Sequence, residues 1–279
     1  MKWAREYFSG RKGAPKMCLE ILSQYAKNED NCKRGAIVFV HGAYQGAWCW
    51  KEFFMPYFSR IGYDCYALSL RGGHGKSDGF EKLESFTLSD YVADVNSVFI
   101  KKQLDSAILI GHSFGGAIVQ LFLEQFPEKV EKMVLISSIP PTGMLFDMGH
   151  FALRHPWKFL KLGTINFRKN IHSINDVGSL FLSNKISLTK RKEYCEKIQK
   201  DSIRTNITTL KPIVSKNFNP SVSVLVLGSK FDIMLTRSAI RKTAEFYHGK
   251  IVMFDDLTHD MMLDPEWKKV AIVIENFLR

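Results

Sequence analysis

Short apolar runs and amphipathic segments alternate along most of this chain. Six short runs predict strands: residues 36–40, 64–70, 107–110, 130–136, 222–227 and 251–254. The runs at 36–40 and 107–110 are apolar and contain β-branched residues, which is the composition of strands buried on both faces. Apolar positions recur at helical spacing in other segments, most clearly at 50–61, 87–102, 116–126 and 265–278. This order predicts βαβ units, and therefore an α/β fold with a mostly parallel central sheet flanked by helices.

The strand pattern stops at residue 139 and resumes near residue 220. The intervening segment holds helical, aromatic-rich pieces and no convincing core strand. It has 14 Lys and Arg against 5 Asp and Glu, so it carries +9 of the formal net charge of +11. We therefore predict a core of residues 1–138 and 220–279, interrupted by a helical cap at 139–219 over the carboxyl ends of the strands.

Composition narrows the class of protein. With 279 residues, of which 46% are apolar and 24% charged, the chain can bury a large core as one domain. No apolar run is long enough to span a bilayer, and none at the N-terminus resembles a secretory signal. The five cysteines are scattered and predict neither a disulfide framework nor a metal site. We expect a cytoplasmic protein, and the basic segment carries no nucleic-acid recognition motif.

The candidate chemistry centres on the run that follows the third predicted strand. Gly111-His112-Ser113-Phe114-Gly115 has the pattern G-x-S-x-G, with a predicted strand before it and a helix after it. This context places a serine on a sharp turn whose small neighbours let the strand and helix approach each other. The hydroxyl is then directed above the sheet at a helix N-terminus, where an oxyanion is favoured. Ser113 is therefore the candidate nucleophile.

A serine nucleophile needs a base and a carboxylate that orients the base, and after such a turn the acid precedes the histidine in the chain. Asp232 follows the strand predicted at 222–227, and His259 follows the final strand. His248 precedes that strand and so lies at the wrong end of the sheet. We predict His259 as the base and Asp232 as its partner. Three neighbours of His259 are alternative acids: Asp255, Asp256 and Asp260.

The oxyanion of an acyl-transfer reaction needs two preorganised N–H donors. Phe114 directly follows the candidate nucleophile, and Ala43 lies in the small-residue loop after the strand at 36–40. The backbone N–H groups of Ala43 and Phe114 are therefore the predicted pair. His41 and His112 lie beside these loops, and we expect them to brace the structure rather than to act as bases.

Five stretches, in this order along the chain, resemble the α/β-hydrolase superfamily: 41–50, 71–77, 111–116, Asp232 and 259–263. The resemblance is to carboxylesterases and lysophospholipase-like members, and His-Gly-Ala followed by Gly-Ala-Trp-Cys-Trp is similar to plant methylesterases. Related hydroxynitrile lyases usually carry Thr where Gly42 stands. Dehalogenases and epoxide hydrolases of this fold use Asp where Ser113 stands. The resemblance therefore implies an esterase on an α/β-hydrolase fold.

These residues predict a serine hydrolase that cleaves a carboxylic ester of a small or acyl-chain substrate through an acyl-enzyme. No cofactor and no metal ion are expected. Two alternatives stay open. The same residues could serve a perhydrolase or a C–C hydrolase, and the fold could belong to a ligand receptor with weak catalysis.

The predicted cap contains two sets of side chains whose role the pattern leaves open. Its apolar residues either attach the cap to the core or line an acyl pocket: Phe151, Trp157, Phe159, Leu160, Leu162, Ile165, Phe167, Phe181 and Leu182. Its basic residues either form a solvated face or favour an anionic amphiphile, a membrane surface or an acidic acyl-carrier partner: Arg154, Lys158, Lys161, Arg168, Lys169, Arg191 and Lys192. The pattern predicts no oligomeric state.

Overall fold

The computed structural model describes residues 4–9, 17–27, 33–167, 171–172 and 178–279. Within these residues eight strands form one sheet, in the order β1-β2-β4-β3-β5-β6-β7-β8. The strands are β1 (Ala4–Ser9), β2 (Cys18–Gln24), β3 (Ala36–Val40), β4 (Asp64–Leu68), β5 (Ala107–His112), β6 (Val130–Ile136), β7 (Ser223–Ser229) and β8 (Lys250–Phe254). The β1–β2 and β2–β4 pairs are antiparallel and the other pairs are parallel.

Helices cover both faces of this sheet, so its central strands are buried on both sides. The helices are α1 (Trp48–Lys51), α2 (Phe54–Arg60), α3 (Leu88–Lys102), α4 (Phe114–Gln125), α5 (Leu145–Arg154), α6 (Pro156–Thr164), α7 (Ser179–Phe181), α8 (Leu188–Glu196), α9 (Ile203–Thr208), α10 (Arg237–Phe246) and α11 (Trp267–Leu278). In β3, Val38 and Val40 join the core that contains α3, α4 and α10. Ile37 and Phe39 join the core beneath α1, α2 and α11. The two cores explain why the run is apolar at every position.

The predicted strands and helices are present with shifts of a few residues, except at 50–61. Two helices, α1 and α2, occupy that region because Pro56 has no N–H and its ring would collide with the carbonyl of Glu52 in a continuous helix. At the start of α3, Thr87 and Asp90 form a reciprocal capping box, as their spacing predicts. The sequence also predicts an N-terminal strand or hairpin arm at residues 16–26, where β2 lies. Strand β1 and helix α10 are additions that the sequence pattern did not predict.

Between β6 and β7, the residues that the structure describes form helices and 3₁₀ turns but no strand. The cap boundaries at 139 and 219 stay a prediction, and Arg168 and Lys169 lie outside the described residues. None of the described helices is both long and apolar enough to cross a membrane. Four cysteines are unpaired, namely Cys18, Cys49, Cys65 and Cys195, whereas Cys32 lies outside the described residues.

Candidate active site

Ser113 stands alone between β5 and α4, in a backbone conformation that few side chains adopt. Its φ is 51° and its ψ is −115°. A Cβ on Gly111 would lie 2.6 Å from Val119 Cγ2, and one on Gly115 would collide with the carbonyl oxygens of Val40 and His41. The Ser113 N–H donates to the Ile136 carbonyl oxygen at 3.0 Å. Close packing therefore holds a strained turn that raises the serine above the sheet edge.

His259 bridges Ser113 and Asp232. Its Nε2 lies 2.9 Å from Ser113 Oγ, and its Nδ1 lies 2.8 Å from Asp232 Oδ2. The other Asp232 oxygen, Oδ1, accepts from the backbone N–H groups of Met234 at 2.8 Å and Leu235 at 3.2 Å. An ionised carboxylate only accepts, so Nδ1 carries the proton and Nε2 is left to accept from the serine hydroxyl.

The buried setting of His259 and Asp232 works against their charges, but each favours the charge of the other. Burial disfavours the imidazolium, yet the Asp232 charge and hydrogen bond, reinforced by Asp260, raise the pKa of His259 above its ordinary value of 6.5. Burial also disfavours the carboxylate, yet His259 and nearby hydrogen-bond donors hold the pKa of Asp232 below 3.8. The pair is therefore arranged to stabilise a proton arriving on His259.

The alternative acids are placed differently. Asp255 pairs with Lys230, and Asp256 pairs with Lys269 at 2.8 Å, both at the surface. Asp260 is buried, and its Oδ2 accepts from Gln45 Nε2 at 2.9 Å. Burial raises the pKa of Asp260 to about 6. Of the four candidate acids, Asp232 is the one that contacts a ring nitrogen of His259.

His41 and His112 are buried, and the hydrogen-bond contacts of their rings are with groups other than Ser113. His41 Nε2 accepts from the Leu70 N–H at 3.0 Å, and burial lowers the pKa of His41 to about 3. His112 Nε2 lies 3.1 Å from the His259 carbonyl oxygen. Burial, and then the nearby His259, hold the pKa of His112 well below 6.5. Both rings are therefore neutral braces beneath the site.

Ala43 and Phe114 border the same cavity as Ser113 and His259. In the described part of the chain, neither of their backbone N–H groups donates to a protein acceptor. The Gly42 N–H donates to Gln45 Oε1 at 3.2 Å, which folds the loop back on itself. Two N–H groups without a protein acceptor thus belong to residues that line the cavity together with Ser113.

Asp201 is a site residue that no sequence motif marks. It is buried, and its Oδ2 accepts from the Tyr44 N–H at 3.2 Å. Its Oδ1 accepts from the Ser202 N–H at 2.8 Å and lies 3.5 Å from His74 Nε2. Tyr44 has a φ of 64°, and its carbonyl oxygen accepts from the Gln199 N–H at 3.0 Å. The 139–219 segment therefore holds a strained residue directly beside Ala43.

A cavity of about 270 Å³ opens in front of Ser113, with a predominantly apolar lining. The apolar set of the 139–219 segment divides into three groups around it. Phe159, Leu162 and Phe181 line the cavity. Phe151, Ile165 and Leu182 are buried, whereas Trp157, Leu160 and Phe167 are exposed. The set therefore divides into residues that line the cavity, residues packed in the interior and residues that face solvent, and an acyl-binding role stays a prediction.

Three groups beside the serine have the chemistry to hold a metal ion. The ligand atoms of His112, His259 and Asp260 lie within 4.8 Å of one another. Both His259 nitrogens, however, are in hydrogen-bond contact with Ser113 and Asp232, and Asp260 Oδ2 accepts from Gln45. A metal ion there would displace these contacts, so the cluster fits a hydrogen-bonded role better than a metal-binding one.

Comparison with known proteins adds family information to this geometry. A family model described as the alpha/beta hydrolase fold matches residues 35–185, more than half of the chain. The chain is 30% identical over 136 residues to the putative methylesterase 11, chloroplastic, of Arabidopsis thaliana. This match covers 48% of this chain and 34% of that protein. It is 26% identical over 171 residues to protein ABHD8 of Mus musculus, and this match covers 56% of this chain and 38% of that protein.

The chain spans less than half the length of these curated relatives. Its structure is similar over nearly its whole length to an esterase from Exiguobacterium antarcticum. The two superpose with a TM-score of 0.77 at 16% identity, and the match covers 98% of each chain. At that identity, the superposition establishes a shared fold.

Proposed function

Because this chain belongs to the α/β-hydrolase-fold family, we propose that it is a serine hydrolase that cleaves carboxylic esters. The family match confirms the fold class predicted from the sequence. The observation that carries the proposal is the placement of His259 between Ser113 Oγ at 2.9 Å and Asp232 Oδ2 at 2.8 Å. Acyl transfer requires a nucleophile, a base that is hydrogen-bonded to it, and a carboxylate that is hydrogen-bonded to the base and orients it.

In the first half of the proposed reaction, His259 Nε2 accepts the hydroxyl proton as Ser113 Oγ attacks the acyl carbon. The carbonyl oxygen becomes an oxyanion between the N–H groups of Ala43 and Phe114. Asp232 keeps the proton of His259 on Nδ1 and stabilises the imidazolium that forms. His259 then gives its proton to the departing alcohol, which leaves an acyl group on Ser113.

In the second half, water replaces the alcohol. His259 Nε2 takes a proton from the water as the water oxygen attacks the acyl carbon, and the same two N–H groups hold the second oxyanion. Collapse of this intermediate returns the proton to Ser113 Oγ and releases the carboxylic acid. Each half of the reaction therefore uses His259 once as a base and once as an acid.

The cavity supports an apolar acyl group of modest size as the substrate. Its volume of about 270 Å³ lies just below the usual range of small-molecule sites. Methionine and leucine side chains form much of the apolar lining: Met144, Met148, Leu162, Leu210 and Met234. Flexible methionines adapt to acyl chains of different shape.

Labelling with a fluorophosphonate, beside a p-nitrophenyl ester series of increasing acyl length, tests the proposal. The wild type should be labelled and should turn over the shorter esters, and Ser113→Ala should lose both properties. Ser85→Ala changes an exposed serine outside the cavity and should behave like the wild type. The proposal fails if the wild type neither reacts nor hydrolyses any ester, or if Ser113→Ala keeps its label.

A further inference from the structure

The outer sides of α5 and α6 carry large apolar side chains that stand in solvent. Leu153 is 86% exposed and Trp157 is 78% exposed, and three further residues are mostly exposed. We call the following five residues the α5–α6 outer face: Leu145, Phe146, Leu153, Trp157 and Leu160. So many exposed large apolar residues on neighbouring helices mark an interaction surface.

The helices turn the opposite sides inward. In α5, Asp147 and Phe151 are buried, about half a turn away from Leu153. The Phe151 ring packs edge-on against Phe159 of α6 with their centroids 6.0 Å apart. Because this contact lies on the inner side of both helices, their apolar outer sides point away from the core together. A Cβ built on Gly149, in the same face, would meet no atom within 4 Å.

The sequence that contains this face is positively charged. From residue 148 to residue 175 the sequence has five Lys and Arg and no Asp or Glu. Arg154 and Lys158 flank the junction between the two helices. Partial burial, followed by the charges of Lys158 and Arg154, lowers the pKa of His155 at this junction. The one acid within α5, Asp147, is buried and accepts from the Thr236 N–H at 2.9 Å.

We propose that the α5–α6 outer face docks on a bilayer that contains anionic phospholipids. Helices that rest in a membrane interface present Trp, Phe and Leu to the acyl chains and Lys or Arg to the headgroups, which is the composition of this face. Its apolar side chains project outward, as insertion between lipids requires. Both helices, with 10 and 9 residues, are far too short to span a bilayer, so the contact is superficial.

The opening of the cavity lies beside the proposed docking surface. The inner side of α6 contributes Phe159, Leu162 and Gly163 to the cavity lining. Phe159 and Ile207 line the cavity and are also exposed, which places the opening between α6 and α9. Docking would therefore bring this opening to the lipid surface. The proposal concerns binding alone and does not rest on the proposed catalysis.

Co-sedimentation with lipid vesicles tests the docking. One set of vesicles contains phosphatidylcholine alone, and the other contains phosphatidylcholine mixed with phosphatidylserine. The wild type should bind the mixed vesicles, and Leu153→Ser combined with Trp157→Ser should weaken that binding at least tenfold. Arg154→Gln combined with Lys158→Gln should weaken it to a similar extent, and added salt should weaken wild-type binding.

Matched control variants change exposed residues elsewhere. Ile100→Ser removes an exposed apolar side chain from α3, and Arg241→Gln combined with Lys242→Gln removes two charges from α10. These proteins should bind like the wild type. Ser113→Ala should also bind like the wild type, which separates docking from catalysis. Equal loss of binding in the controls, or no preference for phosphatidylserine, would overturn the proposal.

Fluorescence identifies the residue that enters the lipid. Vesicles with brominated acyl chains should quench wild-type tryptophan emission, and Trp157→Phe should bind normally but lose most of the quenching. Size-exclusion chromatography of the Leu153→Ser and Trp157→Ser protein tests the competing occupant, a second copy of the chain. If these substitutions dissociate an oligomer and leave vesicle binding unchanged, the face is a self-association surface and the proposal is wrong.

Discussion

The carboxylate of Asp201 accepts a hydrogen bond at 3.2 Å from the backbone N–H of Tyr44, a residue 157 positions earlier in the chain. Tyr44 has a positive φ of 64°, which a non-glycine residue adopts at a free-energy cost. Its N–H and carbonyl are both held from the 139–219 segment, by Asp201 and by Gln199. The loop that carries the proposed donor Ala43 is therefore positioned by residues far from it in sequence.

Replacing Asp201 with Ala should lower kcat at least tenfold and change KM less. The Ala43 N–H acts mainly on the oxyanion of the transition state, so a loose loop penalises the chemical step more than ground-state binding. The substitution also strands the N–H groups of Tyr44 and Ser202, which should lower the free energy of unfolding by roughly 1–3 kcal/mol for each group. Steady-state kinetics and thermal unfolding measure the two effects.

Two further variants separate positioning from general destabilisation. Asp201→Asn keeps one acceptor oxygen and should recover part of the lost kcat. Thr243→Val removes a buried hydrogen bond to the Ala239 carbonyl, 2.8 Å long, within α10. It should lower stability and leave kcat near the wild-type value. If Thr243→Val lowers kcat as much as Asp201→Ala does, the positioning role of Asp201 is wrong.

The pH profile should report the pKa of His259. Protonated His259 cannot accept the Ser113 proton, so kcat/KM should fall as the pH drops through a pKa above 6.5. Asp260 contributes a negative charge that favours the imidazolium. In Asp260→Asn this charge is absent, the pKa of His259 is lower, and the inflection should move to lower pH. A p-nitrophenyl ester assayed across pH measures the shift.

Asp255→Asn is the matched control for this profile. Its side chain is 71% exposed in the same loop, where solvent screens its charge from the buried ring. The inflection should therefore stay at its wild-type pH. A shift of the Asp260→Asn inflection to higher pH, or the same shift in both variants, would contradict the proposed electrostatics.

Replacing Asp232 with Asn should lower kcat by about four orders of magnitude, the loss seen when the acid of such a triad becomes an amide. The amide Oδ1 can still accept from the N–H groups of Met234 and Leu235, so the fold should persist. The amide NH₂ then faces His259 Nδ1 and moves the ring proton to Nε2, where it blocks proton transfer from Ser113. Single-turnover kinetics should show slow acylation, and near-normal kcat would exclude Asp232 as the orienting acid.

The proximity of Ser113, Asp232 and His259 was predictable because each follows a strand of the parallel part of the sheet. Parallel strands present their carboxyl ends at one edge of the sheet, so chain order and strand recognition were sufficient. No motif marks Asp201. The described residues of its segment form no strand, and their periodicity does not show which polar side chain turns inward. Ala43 and Phe114 border the cavity as expected, and their role as donors stays a prediction.

The errors in the prediction of secondary structure have local causes. Helix α10 buries only four small or medium residues among charged ones, namely Ala239, Ile240, Thr243 and Ala244, so its apolar signal was weak. The break between α1 and α2 depends on Pro56, a residue that helical spacing alone does not register. Strand β1 pairs with β2 in an antiparallel arrangement, and no apolar run in the sequence predicts this strand.

The close packing around Gly42 gives the most specific prediction about the loop that carries Ala43. A Cβ at this position would lie 2.6 Å from His112 Nδ1 and 3.1 Å from Ser113 Cβ. His112 is buried and its Nε2 contacts the His259 carbonyl oxygen at 3.1 Å, so the ring cannot retreat without disturbing the base. Gly42 does not have a positive φ, so the clash alone penalises Ala. Gly42→Ala should therefore lower kcat about a hundredfold, the scale of a misplacement near 1 Å.

A double-mutant cycle tests this cause directly. His112→Ala removes the ring that the new methyl group meets, so Gly42→Ala should lower kcat much less in that background than in the wild type. Gly149→Ala adds a methyl group in α5 where no atom lies within 4 Å, and it should leave kcat unchanged and raise stability by up to about 1 kcal/mol. Equal losses from Gly42→Ala in both backgrounds would show that the clash with His112 is not what limits this position. The loop that carries Ala43 would then be constrained chiefly by Ser113 Cβ, the other neighbour of the new methyl group.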